Sequence, residues 1–123
     1  MNDDCTHLLN ELVRESHLLR YLIESVEVRP GMYVASGTAN DLYKHLLGWK
    51  AHRSLVEDGD VFADRFFLGF GDFVSIHFRD AGAKGLAAKG WGEMIAGYTA
   101  DPAKELEAFF GLLREFTLSN SPP

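Results

Sequence analysis

Pro30 is the residue that most constrains what this chain can fold into. It lacks a backbone N–H and pushes Arg29 out of the α region, so a helix arriving from the N-terminal side must stop by about Val28. A helix does arrive. From Asp3 to Val28 the apolar residues Leu8, Leu12, Leu19, Leu22, Ile23 and Val26 recur at helical spacing, with Arg14, Glu15, Arg20 and Glu24 between them. Asp3 and Asp4 stand at its start, where carboxylates suit the exposed N–H groups and the positive end of the dipole. Pro30 and Gly31 are the pair suited to the centre of a type II turn, in which Gly31 takes the positive φ. Met32, Tyr33 and Val34 then supply apolar side chains to fold back on the helix just left. Arg29 to Tyr33 reads as a corner with an anchor.

The chain restarts at Thr38, which with Asp41 three residues on has the form of a capping box. Leu42, Tyr43, Leu46, Leu47, Trp49 and Leu55 carry the helical pattern to about Glu57, and Gly59 is a suitable stop. Gly48 in mid-helix costs about 1 kcal/mol relative to Ala, which predicts that another backbone passes close to it. These first two helices are expected to be antiparallel neighbours.

In the next stretch Phe62, Phe66, Phe70, Phe73 and His77 fit one helical face, while Val74, Ile76 and Phe78 alternate with Ser75, His77 and Arg79 as in a half-buried strand. Helix is the favoured reading, and a break at Gly69 and Gly71 followed by a short strand is the alternative. "DAGAKGLAAKG" has little to bury and reads as a mobile loop. "WGEMIAGY" suits one or two helical turns. Asp101 before Pro102 is an N-cap followed by proline at the first helical position, and Leu106, Phe109, Phe110, Leu113 and Phe116 make the last helix amphipathic to about Leu118. The fold class expected is all-α: a compact bundle of four to five helices, with a short β element near residues 72–79 as the variant. Residues 1–118 form one globular domain in this reading, and 119–123 a flexible tail.

A chain of 123 residues is one domain by length. Its 18 acidic against 12 basic residues, net −6, argue against a nucleic-acid binder, whose footprint is a basic stripe. The single cysteine, Cys5, excludes an internal disulfide and a thiolate cluster and suits a reducing compartment. The N-terminus carries acids where a secretory signal carries Lys or Arg, and no apolar run approaches the ~20 residues of a membrane span. The expected setting is cytoplasmic, with neither membrane nor nucleic acid as partner.

Chemistry is sparse. Asp41, His45 and His52 share one face of the second helix, as a two-His-plus-carboxylate metal site requires, but no HExxH or second ligand pair supports them. Solvent-facing histidines are the preferred reading, with no metal and no cofactor. Asp72 and His77 are poorly spaced for contact, Ser75 is merely near them, and Cys5 beside His7 has no electropositive setting to activate it. Phe66, Phe70 and Trp91 are candidates for a small-ligand pocket, against core as the commoner fate of such residues. Glu57, Asp58, Asp60 and Asp64 place four carboxylates in eight residues. They form either a solvated connector or a patch that steers a basic partner.

A helix ending in "RPGMY", a serine-containing link, "LYKHLLGW", a Phe-rich segment, "GWGEMI" and "ELEAFFGLLREF" together resemble a family of small, mostly helical bacterial proteins. Some of these look like immunity proteins encoded beside polymorphic or contact-delivered toxins. The likeness runs from Val26 to Phe116, with Arg29, Pro30, Gly31, Met32, Tyr33, Gly48 and Trp91 as its structural motif. "RPGMY" also occurs near the start of gyrase-type ATPase domains, whose nucleotide-binding acid and glycine motifs this chain lacks. The resemblance implies a protein that is not an enzyme and that blocks a cognate toxin by covering a basic active-site cleft. The alternative is a self-associating adaptor or regulatory interaction domain, acting as a homodimer.

Overall fold

The computed structural model of the chain describes residues 2–53, 59–78, 90–99 and 101–119, the side chains of residues 2–6 and 53 excepted. Among the described residues every regular element is helical. They are α1 (Asn2–Glu15), α2 (His17–Arg20), a π-helix (Tyr21–Val26), α3 (Pro30–Tyr33), α4 (Ala39–Arg53), α5 (Val61–His77), α6 (Trp91–Tyr98), a 3-10 turn (Pro102–Lys104) and α7 (Glu105–Ser119). The all-α expectation holds for these residues. Helix continues through His77 where a β element near 72–79 was the alternative, because the phenylalanine spacing outweighs the short alternation beginning at Val74. The end of the pattern from Leu55 to Glu57, Asp58, residues 80–89 of the expected loop and residues 120–123 of the expected tail fall outside the described residues; Gly90 leads directly into α6, and Ser119, expected to begin the tail, is the last residue of α7.

The first periodic run is not one helix. Ser16 adopts an extended conformation (φ −116°, ψ 122°) and its Oγ accepts from the Leu19 amide at 3.0 Å, so it caps a fresh helix inside what periodicity reads as continuous. The π-helix follows at once, with the Glu27 amide reaching the Leu22 carbonyl at 2.9 Å, one residue further than an α-helix allows. This is why more, shorter helices are found than the four or five read from periodicity.

Pro30 does stop the helix, but not by a type II turn. It occupies the first position of α3, where its missing N–H costs nothing, and the Val34 amide closes the turn onto the Pro30 carbonyl at 2.7 Å. Positive φ is found at Gly37, Gly59 and Gly90 rather than at Gly31. Thr38 caps α4, its Oγ1 accepting from the Asp41 amide at 3.3 Å. The reciprocal half of the box is absent, because the Thr38 amide donates to Ser36 Oγ at 3.2 Å. Asp101 caps the turn into α7 by accepting from the Ala103 amide at 3.0 Å, as its sequence position predicts.

Short α6 is the hub, packing on α4, α5 and α7. Its closeness to α4 depends on Gly92. A Cβ there would lie 2.8 Å from both Asn40 Cα and Tyr43 Cβ, and 3.0 Å from the Ala39 carbonyl oxygen. The close backbone approach expected at Gly48 therefore belongs to Gly92, and Gly48 faces open space. Likewise α4 has α6 as its main neighbour, while α1 packs on α7 and α2 on α5. The core is aromatic: Phe66 stacks on Phe70 (4.7 Å between centroids), Trp91 on Phe109 (4.9 Å), and the Phe116 ring meets Phe70 edge-on at 5.4 Å.

Candidate protein-binding surface

The four clustered carboxylates do not share a surface. Asp60 is buried, and its oxygens are occupied: Oδ2 accepts from the Ser16 hydroxyl at 3.0 Å and the Leu18 amide at 2.9 Å, and Oδ1 from the Ala63 amide at 3.0 Å. One side chain thus starts α5 and fastens it to the break before α2. Asp64 is exposed, and Glu57 and Asp58 lie outside the described residues. A second buried carboxylate, Glu105, does the same at α4, accepting from the Ala39 amide at 3.0 Å. Spacing in the sequence does not reveal this role, because a cap is legible only between near neighbours and Glu105 is 66 positions from Ala39.

The corner after the π-helix is the most distinctive surface feature. Val34 is buried beneath it. Tyr33 meets the Tyr21 ring edge-on at 5.4 Å, Tyr21 lies against His45 of α4 at 5.9 Å, and the Tyr21 hydroxyl is 2.5 Å from His45 Nε2. Arg114 of α7 also grips Glu27, its terminal nitrogens Nη1 and Nη2 donating to Oε2 and Oε1 at 2.8 and 2.6 Å. That hydrogen-bonded pairing raises the Arg114 pKa. Burial, with the neighbouring Tyr33 as a smaller cause, raises that of Tyr21. The corner is pinned from two directions, and what it displays is apolar: Val28 is 66% exposed and Met32 68%. Met32 does not fold back as expected, because the single turn of α3 directs Tyr33 and Val34 inward and Met32 out. Arg29 and Gly31 are exposed and Pro30 half-buried.

The other candidates stand apart. Asp41 and His52 are exposed, whereas His45 is half-buried against Tyr21, so the three do not act as one cluster and His45 is not a solvent-facing histidine. Phe66, Phe70 and Trp91 are core, in contact with one another. A cavity of about 420 Å³ opens between α1 and α5, lined by Leu12, Glu15, Ser16, Val61, Phe62 and Arg65 among others. The Ser16 hydroxyl at its wall is turned inward to Asp60. Among the described residues no helix is long and apolar enough to cross a membrane.

The surface the residues build is therefore a braced corner with two apolar side chains at its tip. Comparison with family models, curated proteins and solved structures finds no match to this chain.

Proposed function

We propose that this protein works by stoichiometric binding, with no chemistry of its own, and that its partner is a cognate bacterial toxin whose basic active-site cleft it covers. The observation that carries the reading is the corner. Val28 and Met32 are large apolar side chains held out to solvent on a turn fixed by Glu27–Arg114 and Tyr21–Tyr33–His45. A rigid apolar anchor loses little entropy on docking, which is what a tight inhibitor needs. Support also comes from the fate of the buried carboxylates: Asp60 and Glu105 are engaged in holding helix starts. The net charge of −6 suits a basic cleft and would speed the encounter more than it tightens the complex.

The reading is tested by co-expressing the chain with the product of the adjoining gene and capturing one through the other. Co-purification of the two is expected, with loss of the complex in the double variant Val28→Glu/Met32→Glu while its helical circular dichroism is unchanged. Retention of the complex by that variant removes the corner from the interface. Turnover of a small substrate by the purified chain refutes the non-catalytic reading outright.

A further inference from the structure

The outward side of α5 carries a pattern complementary to itself. Val61, Arg65, Leu68, Asp72 and Ile76 follow one another at steps of four, three, four and four. At about 100° per residue they fall in a stripe roughly 80° wide, opposite the buried Ala63, Phe66, Phe70 and Val74. All five are exposed. The apolar three are strongly so: Leu68 is 84% exposed, Val61 61% and Ile76 60%. The outer face of an amphipathic helix ordinarily carries polar residues there.

Read from either end, the stripe alternates apolar and charged residues, and reversal exchanges the charges: apolar, basic, apolar, acidic, apolar becomes apolar, acidic, apolar, basic, apolar. We propose that its occupant is a second copy of this chain, docked as a two-fold symmetric dimer through antiparallel α5 helices. In that register Val61 faces Ile76 of the other copy, Arg65 faces Asp72, and Leu68 meets its own counterpart beside Gly69, where no side chain stands in the way. Symmetry makes each outer apolar pair and each ion pair occur twice. A parallel arrangement would set Arg65 against Arg65 and Asp72 against Asp72, so the charge order selects the antiparallel one. The guanidinium has five donors, so contacts of Arg65 within its own chain leave donors for the other copy. The net charge of −6 on each chain opposes association. At physiological ionic strength that repulsion is screened beyond about 8 Å, whereas ion pairs in contact persist.

From Val61 to Ile76 the stripe is about 23 Å long, so the contact lies at the small end of specific interfaces and the dimer is reversible, with a dissociation constant on the order of tens of micromolar. Sedimentation equilibrium of the full chain from about 1 to about 500 µM tests this, and should show the average mass rising from monomer to dimer across that range. Leu68→Lys should leave a monomer throughout. Arg65→Glu and Asp72→Arg should each weaken association by at least about 10-fold, and the two together should return it to within about 3-fold of the original. All these positions are exposed, and circular dichroism confirms each fold; should Arg65→Glu fail to fold, Leu68→Lys and Asp72→Arg decide. A chain that stays monomeric throughout overturns the proposal, as does a dimer indifferent to Leu68→Lys. Failure of the charge swap to restore what its single changes remove overturns the antiparallel register. Mass beyond the dimer, or association only with a different protein through this face, also counts against it.

Discussion

Replacing Asp60 with alanine removes the acceptor for the Ser16 hydroxyl, the Leu18 amide and the Ala63 amide together. Leu18 and Ala63 are fully buried, so their N–H groups lose a partner in a place poor in alternatives. A hydrogen bond to a charged acceptor contributes about 1.5–3 kcal/mol, and the loss of an N-cap costs about 1 kcal/mol. These losses overlap at Ala63, and once the carboxylate is removed water can enter part of the site from the neighbouring cavity, which Ser16 lines. The expected cost is therefore about 3–4 kcal/mol, a large part of the 5–15 kcal/mol that holds a typical domain. In urea, with a slope of about 1.5 kcal/mol/M, the unfolding midpoint should fall by about 2 M at unchanged slope. Asp60→Asn keeps one acceptor oxygen and should cost about half as much. Asp64→Ala, on the exposed neighbour, should cost less than about 0.5 kcal/mol. A loss below about 1 kcal/mol for Asp60→Ala, or equal losses at Asp60 and Asp64, would refute the view that Asp60 fastens α5 to the Ser16 break.

Gly92→Ala should destabilise by about 1–3 kcal/mol, because the added carbon meets the α4 backbone. Gly48→Ala, in open space, should stabilise by about 0.5–1 kcal/mol; thermal melts of the pair check both. Arg114→Met should lose about 1 kcal/mol or less in chemical denaturation, since its partly exposed pair with Glu27 is screened by solvent. Tyr21 has a raised pKa in the folded chain, so the folded state holds that proton more tightly. Its contribution is whole below the unfolded pKa of about 10 and is lost as pH rises through the folded value. Stability followed by urea unfolding should accordingly fall more steeply above pH ~10 in the original chain than in Tyr21→Phe.

What the amino-acid order reveals here is whatever is decided locally. The Asp101–Pro102 start, the phenylalanine face of α5 and the short helix at Trp91 depend on neighbours within a turn or two, and each is found where spacing places it. Contacts across the chain are another matter. Asp60 looks like one of four solvated acids until Ser16, 44 positions earlier, is brought against it. Glu105 looks like a surface residue of a first helical turn, yet it caps α4. Glycine has the same ambiguity: Gly48 and Gly92 both lie within helices, and only packing tells which one another backbone approaches. Two local signals are masked by stronger patterns: Ser16, an N-cap set within an unbroken apolar period, and Asp60, an N-cap set among other acids. At the candidate surface, Arg29 to Tyr33 were recognised as a corner, but its bracing by Arg114 and His45 and the outward turn of Met32 come from the tertiary fold.

Rescue of growth is the most direct measurement of the proposed role. Cells expressing the adjoining gene's product should survive when the original chain is present and die when it carries Val28→Glu and Met32→Glu at equal abundance. Equal survival with both chains, or death with both, would contradict inhibition through the corner.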